Sequence, residues 1–551
     1  MAQRRGLDRR KFLAGTAAGV GGGIITGGFA SSAAAATEPD PAVVARRTST
    51  ATTVGPDSPQ YPDLVRALNA RYTAAPRSVH VVDAPRQVRA IVEQAVSANK
   101  RLTVRGGGHC LEDFVYNSDV QMIIDLSNMN RVYYDEARNA IAVESGATLL
   151  DVYEKLYQTW GVTVPGGICY SVGMGGHVAG GGWGWLVRRD GLIIDHLYGV
   201  EVVTVRASGV VRKVVATREA DDPHRDLWWA HTGGGGGNFG VVTRYFFRSP
   251  DATGTDPTRL LPRPPSKVLY AVAAWGWDQL NKDRFIQLIQ NYANWHVTNA
   301  APTSPTRFLS SFMVLNHVSN GTVVLLTQVD AGAPNAETIL NDYLTFMSNG
   351  VAQPFISQVR LPWLQAARLT GTTNPLLNDP TLRGEYKSAY MKAAFPQDQA
   401  EALYKHLART DIDNPNLSVQ LSPFGGMTAA VQPGDTASVH RGAAFKMLWA
   451  ANWSDPADDA KNIAWARESY QDTYAATGGV PVPNDVTDGC YVNYPDADLS
   501  DPTFNRSTST WHDLYYKDNY PRLQQVKKKY DPRDFFRHRQ SVELPPSKSA
   551  G

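Results

Sequence analysis

From residue 79 onward the chain alternates short apolar runs with stretches whose apolar positions recur at helical spacing. Val79–Val82 reads as a strand, and Ala84-Pro85 opens a helix that carries Val88, Ile91, Val92 and Ala95 on one face. Arg101–Val104, Met122–Leu126 and Ala140–Glu144 are further strands, and Thr148 starts a helix to about Gln158 with Leu149, Val152 and Leu156 aligned. Gly199–Val205 and Val210–Ala216 alternate like a hairpin, and Val241–Phe247 is a clear strand. The composition shifts to Pro, Thr and Asp near Pro250, and Pro262–Pro265 reads as a linker. Beyond it, Phe308–Leu315 and Thr322–Val329 are strand-like, while Ala336–Ser348 and Gln397–Arg409 are helical. Near the end, Leu523, Val526 and Tyr530 mark the buried side of a last helix, and Lys527–Lys529 reads as its solvated face.

Three glycine-rich stretches interrupt this pattern. Arg105-Gly106-Gly107-Gly108-His109-Cys110 runs on directly from a strand, an arrangement that presents backbone N–H groups to a pyrophosphate. Residues 165–185, PGGICYSVGMGGHVAGGGWGW, hold nine glycines and a single cysteine, Cys169. Glycine at that density costs ordering entropy, so the backbone is expected to adopt positive φ or to lie against something flat and large. Gly235–Gly240 satisfies GxGxxG formally, but a strand follows where a dinucleotide fold needs a helix, so a Rossmann reading is rejected. No GxxxxGK[ST] occurs in these loops, which excludes a P-loop.

At 551 residues, two or three domains are expected. The net charge of +2 gives no reason to expect nucleic acid or an anionic membrane as partner. Arg9-Arg10-Lys11-Phe12-Leu13, a mild apolar run from Ala14 to Ala30 and Ser31–Ala36 read as a twin-arginine (Tat) export signal with its cleavage site. The mature protein is therefore expected to start near Thr37 and to be secreted, with cofactor inserted before export. The apolar run is too broken by glycine for a membrane span. Cys110, Cys169 and Cys490 cannot all pair, and no CxxC spacing supports zinc or a redox dithiol. Cys110 and Cys490 are open to pairing in an exported protein, though spacing does not establish it.

Together these stretches resemble the berberine-bridge-enzyme-like flavin oxidases of the vanillyl-alcohol-oxidase superfamily, over most of residues 77–250 and again over 486–542. Between them only Pro423-Phe424-Gly425-Gly426 and Val439-His440-Arg441 look familiar. The resemblance implies an α+β chain. Residues 1–36 would be the signal, 37–76 an entry segment, 77–250 a PCMH-type FAD-binding domain, 266–485 a substrate domain of antiparallel sheet covered by helices, and 486–542 a return to the FAD domain. It also implies FAD bonded twice, through His109 to the 8α-methyl group and through Cys169 to C6. A neutral imidazole and a thiolate favoured by N–H dipoles are the chemistry this needs.

By the same resemblance the cofactor contacts are Arg105, Gly106, Gly107, Gly108 and Cys110 in the first loop. In the second they are Gly167, Val172, Gly173, Gly176, His177, Gly180, Gly181 and Gly184, with His177 equally readable as a structural loop histidine. Val200, Asn493, Tyr516 and Asn519 complete the set, and Val172 stands where oxygen-reactive relatives carry valine. In Tyr491-Val492-Asn493-Tyr494-Pro495-Asp496, Tyr494 matches the proton-abstracting tyrosine, with Tyr491 as backup on the opposite face of an extended strand. A phenol near pKa ~10 needs tuning to act as a base at neutral pH. Many relatives tune it with a second tyrosine, where this chain has Trp183; an indole N–H donates but does not relay a proton. Cys110-Leu111-Glu112 departs too, where relatives often carry a polar or aromatic substrate contact. The implied activity is hydride transfer from an alcohol-type C–H bond of a sugar, oligosaccharide or glycosylated polyketide, with O2 reduced to H2O2. The alternatives are a flavin dehydrogenase or oxidative cyclase of the same fold, and a secreted binding protein that has lost the chemistry.

Overall fold

The computed structural model describes residues 50–372, 376 and 378–546. The twin-arginine segment and its expected cleavage site lie outside the described residues.

Proline in the first turn of the helix Pro85–Ser97 suits its fixed φ, and Gln87 Oε1 accepts from the backbone N–H groups of Asp83 (2.7 Å) and Ala84 (3.2 Å). The stripe Val88, Ile91, Val92 and Ala95 is buried between two sheets. One is four-stranded: β1 (Thr52–Val54), β2 (Ser78–Val81), β3 (Leu102–Arg105) and β4 (Met122–Asp125), ordered β1-β2-β4-β3. β2, β4 and β3 run parallel, and β1 adds an antiparallel edge, so part of the expected entry segment belongs to this sheet. The other is antiparallel and five-stranded: β5 (Val132–Asp135), β6 (Ala140–Glu144), β7 (Leu197–Val205), β8 (Val211–Thr217) and β9 (Val241–Phe247), ordered β5-β6-β9-β7-β8. The glycines before β9 lead into a strand, so the GxGxxG match there is not a Rossmann turn.

The third sheet is antiparallel and seven-stranded. It is built from β10 (Lys267–Gly276), β11 (Leu309–Asn316), β12 (Thr322–Asp330), β13 (Phe355–Pro362), β14 (Arg383–Met391), β15 (Leu417–Pro423) and β16 (Phe445–Trp453), ordered β13-β10-β12-β11-β15-β16-β14. Alternate side chains such as Met313, Leu315, Val323, Leu325, Leu417, Val419 and Leu421 are fully buried in the main core, which also takes in the helices Lys282–Thr298, Ala336–Ser348, Gln397–Leu407 and Asp459–Thr473. The opposite side of the sheet carries Phe312, Val314, Val324, Leu326, Ser418 and Gln420 and walls a large cavity. Helices, one mostly parallel sheet and two antiparallel sheets thus make up the α+β fold.

The C-terminal residues cross back between the two halves. Lys387 of β14, almost fully buried, donates to Asp496 Oδ1 (2.9 Å) and Asp498 Oδ2 (2.7 Å), with Glu385 at 3.6 Å. These carboxylates hold its ammonium well above the ordinary lysine range. The helix Tyr520–Tyr530 buries Leu523, Val526 and Tyr530. Lys527 does not belong to a solvated face. It is buried and donates to Asp531 (2.7 Å) and the Asn238 carbonyl (2.9 Å), while Lys528 and Lys529 are exposed. Replacing Lys387 with Met would leave three buried carboxylates without their shared cation. Such breaks cost about 3–5 kcal/mol, so a clear drop in Tm is expected on thermal denaturation, and an unchanged Tm would count against this link.

Candidate flavin site and its aromatic cluster

The two glycine-rich loops meet backbone to backbone. An ideal Cβ on Gly107 would lie 2.2 Å from Gly173 N and 2.8 Å from the Ser171 carbonyl, so neither Gly107 nor Gly173 tolerates a side chain. A Cβ on Gly175 would lie a tight 3.1 Å from the Ser145 carbonyl, and Gly108 takes φ +77°, a conformation glycine adopts without strain. His109 and Cys169 consequently line one cavity of about 820 Å3, a volume suited to a large ligand.

Most other glycines of residues 165–185 also serve contacts within the protein. A Cβ on Gly182 would stand 2.1 Å from His177 Nε2, on Gly184 2.0 Å from the Gly166 carbonyl, and on Gly180 2.1 Å from Asn493 Oδ1. Gly180, Gly181 and Gly184 therefore shape the loop from behind and do not line the cavity. Gly176 is different, because a Cβ there would meet nothing within 4 Å, and the nearest atom to a Cβ on Gly236 is the Gly176 Cα at 3.9 Å. These two open a slot. Gly167, Val172, Gly173, Cys110 and Tyr516 line the cavity as well, Tyr516 donating to the Gly234 carbonyl at 3.0 Å. Two expected contacts lie elsewhere. Val200 is buried in the core at β7 and Asn519 donates to the carbonyls of Pro433 (2.9 Å) and Thr436 (3.1 Å), and neither lines the cavity.

His109 Nε2 lies 2.8 Å from Ser171 Oγ, which donates to Asn378 Oδ1 at 2.8 Å. The serine has one proton and gives it to the amide oxygen, so it accepts from Nε2–H and leaves the lone pair on Nδ1. Burial, aided by the Arg105 guanidinium, holds His109 down to about 4, and the ring is neutral at neutral pH. Cys169 differs from the expectation of a lowered thiol. Burial pushes it up to about 12 against the help of its own backbone N–H. His177 accepts from Gly167 N at 2.9 Å and takes Asn493 Nδ2 on its carbonyl at 3.1 Å, so it clamps the loop. All three cysteines are free, and Cys490 is buried beside the Tyr470 hydroxyl at 3.4 Å, so Cys110 and Cys490 do not pair.

Residues 491–494 form a turn closed by Tyr494 N donating to the Tyr491 carbonyl at 2.9 Å. The turn places both tyrosines on one side, rings edge to face at 4.9 Å, instead of on opposite faces of a strand. Asn493 Nδ2 donates to the Tyr491 hydroxyl (3.1 Å), which itself donates to the Gly181 carbonyl (3.2 Å). Tyr494 has no side-chain hydrogen bond among the described residues; its phenol is pushed up by burial, by Tyr491 and by Cys169 nearby.

Sequence reasoning missed the residue that organises this cluster. Lys446 of β16 is fully buried, and its Nζ has no hydrogen-bond partner in the protein. It sits over the rings of Tyr491 (3.6 Å to the centroid), Trp183 (4.0 Å), Tyr390 (4.9 Å) and Tyr494 (5.7 Å). Burial pushes the ammonium well below its ordinary range, and the electron-rich ring faces oppose that push. Trp183 also stacks on Phe312 at 5.7 Å, so it meets the tyrosines through a shared cation and not by donating its N–H to them. The signal for Lys446 was a lone lysine in the apolar run Phe445–Trp453.

A family model described as an FAD binding domain matches residues 76–214, and one described as berberine and berberine like matches 490–543. The chain is 46% identical to the aclacinomycin-N/aclacinomycin-A oxidase of Streptomyces galilaeus, over 98% of this chain and 99% of that protein. It belongs to the berberine-bridge-enzyme-like FAD-linked oxidoreductases. Hexose oxidase of Chondrus crispus, another relative, is 30% identical over 93% of this chain and 97% of its own. Among solved structures, the glycopeptide hexose oxidase DBV29 complexed with teicoplanin superposes with a TM-score of 0.86 at 42% identity, covering 90% of this chain and 99% of that one. This berberine-bridge-enzyme-like chain is accordingly an FAD-dependent oxidoreductase, and the cavity with its glycine slot and neutral His109 fits the cofactor.

Gly107→Ala and Gly176→Ala separate the two uses of glycine here. The first should lower Tm, by an overpacking cost of about 1–3 kcal/mol. The second should leave Tm of the flavin-free protein unchanged and reduce flavin content, read as the ratio of visible to ultraviolet absorbance.

Proposed function

We propose that this protein is an exported oxidase that takes a hydride from an alcohol carbon of a sugar or a glycosylated natural product and passes the electrons to O2, giving H2O2. The arrangement that carries the reading is Tyr491, Tyr494 and Trp183 lining the same cavity as His109 and Cys169, with Lys446 packed against their ring faces. Support for the substrate class comes from the relatives, whose names specify aclacinomycin and hexose. The signal in residues 1–36 supports export. It stays independent of the site.

His109 through Nδ1 and Cys169 through Sγ would hold the flavin covalently, and when bound the flavin supplies the two-electron acceptor. Burial keeps Cys169 a thiol, so it would have to give up its proton on attachment. Burial pushes the Lys446 ammonium well below its ordinary range, so its amine is the group of the aromatic cluster that would take up such a proton most readily. For the substrate alcohol, Tyr494 presents an unpartnered hydroxyl to the cavity. A proton lost from it is offset by Lys446, which gains a proton more easily beside a phenolate. Trp183 keeps Lys446 in place through its ring face and takes no proton itself. Val172, lining the cavity two residues past Tyr170, is proposed to leave room for O2.

If both tethers form, acid-precipitated protein stays yellow in the His109→Ala and Cys169→Ala single variants. It releases its colour to the supernatant only in the double variant. Release from wild type would refute covalent attachment.

Tyr494→Phe and Lys446→Met should each retain flavin and slow its anaerobic reduction by roughly 10²–10⁴-fold, the range for lost acid–base assistance. Lys446→Met should also move the alkaline rise of the rate to higher pH, because the remaining phenol is raised by burial. Stopped-flow absorbance across pH checks both, and wild-type rates in both variants would remove the pair from the mechanism.

A further inference from the structure

The stretch Val439-His440-Arg441 precedes β16 and carries a buried histidine that the reaction above does not use. Arg441 is accounted for, since its guanidinium pairs with Asp195 at 2.8 and 3.1 Å. His440 is not. Its Nε2 lies 3.1 Å from the Tyr515 carbonyl, which only accepts, so Nε2 carries the proton of the neutral ring. That leaves a lone pair on Nδ1, which has no hydrogen-bond partner and faces Asp488 Oδ2 at 3.4 Å. Asp488 is itself buried, and its other oxygen pairs with Lys517 Nζ at 2.5 Å. A lone pair against a carboxylate is repulsive, and a second proton on Nδ1 turns the contact into an ion pair.

This histidine reaches the site through Tyr390. Tyr390 stands directly across the β14–β16 ladder from Lys446, and its backbone N–H and carbonyl pair with Gly489 (2.8 Å) and Asp488 (2.9 Å). Its ring stacks on His440 at 4.3 Å, and Lys446 Nζ sits 4.9 Å from the centroid of the same ring. One phenol ring is therefore shared by two buried bases. Two positive charges around one ring repel enough to move a proton affinity by roughly one pH unit. Their neighbours decide which base is charged first. His440 has Asp488, whereas Lys446 has no hydrogen-bond partner and only the rings of Tyr491, Trp183, Tyr390, Phe424 and Tyr494 around it. His177, also near Lys446, is held down to about 3 by burial and by that cation, and stays neutral. Burial keeps His440 below its ordinary value, against Asp488 and the Tyr515 carbonyl, so its second proton arrives on the acid side of neutrality.

We propose that His440 is a positioning residue: backed by Asp488, it takes up the proton that acidification would otherwise place on Lys446, and through the shared Tyr390 ring it keeps that amine free to receive the proton Tyr494 releases. This inference rests on the oxidase reading and deepens it by placing a second base behind the first.

The test follows both protons by NMR in holoprotein labelled with carbon-13 at lysine Cε and histidine Cε1, titrated across the acid and neutral range. The two signals are assigned by their loss in Lys446→Met and His440→Gln. Glutamine keeps an N–H for the Tyr515 carbonyl, and Tm with flavin content confirms an intact holoprotein. In wild type His440 should gain its proton at higher pH than Lys446, and His440→Gln should raise the Lys446 midpoint by about one pH unit. Asp488→Asn, which leaves the stacked rings in place, should lower the His440 midpoint. Lys446 charging before His440, a Lys446 midpoint unmoved by His440→Gln, or a His440 midpoint unmoved by Asp488→Asn overturns the proposal. Anaerobic flavin reduction by glucose and by aclacinomycin A separates it from the oxidase reading. Where either bleaches the flavin, His440→Gln should move the acid limb of the rate to higher pH by the same amount, and an unmoved limb removes His440 from the reaction. Shifted midpoints without bleaching by either keep the proton competition and remove the oxidase reading. Bleaching with unmoved midpoints keeps the oxidase reading and removes the competition.

Discussion

The site depends on a contact in which no side chain takes part. Gly107 and Gly173 press the two loops together at a separation that a single Cβ would break, and that contact sets where His109 and Cys169 can stand. Around it, Gly180 admits Asn493, Gly182 admits His177 and Gly184 admits Gly166. The density of glycine therefore reflects backbone packing on itself first and room for a ligand second. Only where Gly176 and Gly236 face each other does the missing Cβ leave open space.

A second constraint is the burial of an amine with no hydrogen-bond partner. Lys446 is held by ring faces alone, a weak substitute for water. Its proton is correspondingly loosely held, and the phenols beside it, raised by the same burial, are reluctant to give theirs up. Coupling the two lets each offset the other. The departure at Trp183 fits this arrangement, because an indole face supports a neighbouring cation as well as a phenol face does, and no relay through that position is needed.

Much of the fold was legible in sequence. Apolar spacing located the helix Pro85–Ser97 and the strands β2, β4, β6, β7, β9, β11 and β12, because each shows either an apolar stripe or alternation, or a short apolar run bounded by polar and turn residues. The strands β14, β15 and β16 were not read. Each is covered on both sides, by helices and by the cavity wall, so polarity in them follows the ligand space and not solvent. Lys446 was hidden for that reason. Lys527 was misplaced for a related one: a charged triplet on a helix looks solvated until an Asp four residues on and a distant carbonyl are brought to it.

The sequence by itself determined the family, the glycine loops, His109, Cys169 and the tyrosine motif, because these lie in short contiguous motifs whose chemistry is local. Tertiary structure decided the rest. It turned Tyr491 and Tyr494 to the same side, moved Val200 and Asn519 away from the cavity, and raised the Cys169 thiol by burying it. It also set Lys446 among rings drawn from segments far apart in the chain. Proton affinity and cavity shape depend on which groups burial brings together, and strand register across three sheets establishes that where no linear spacing records it.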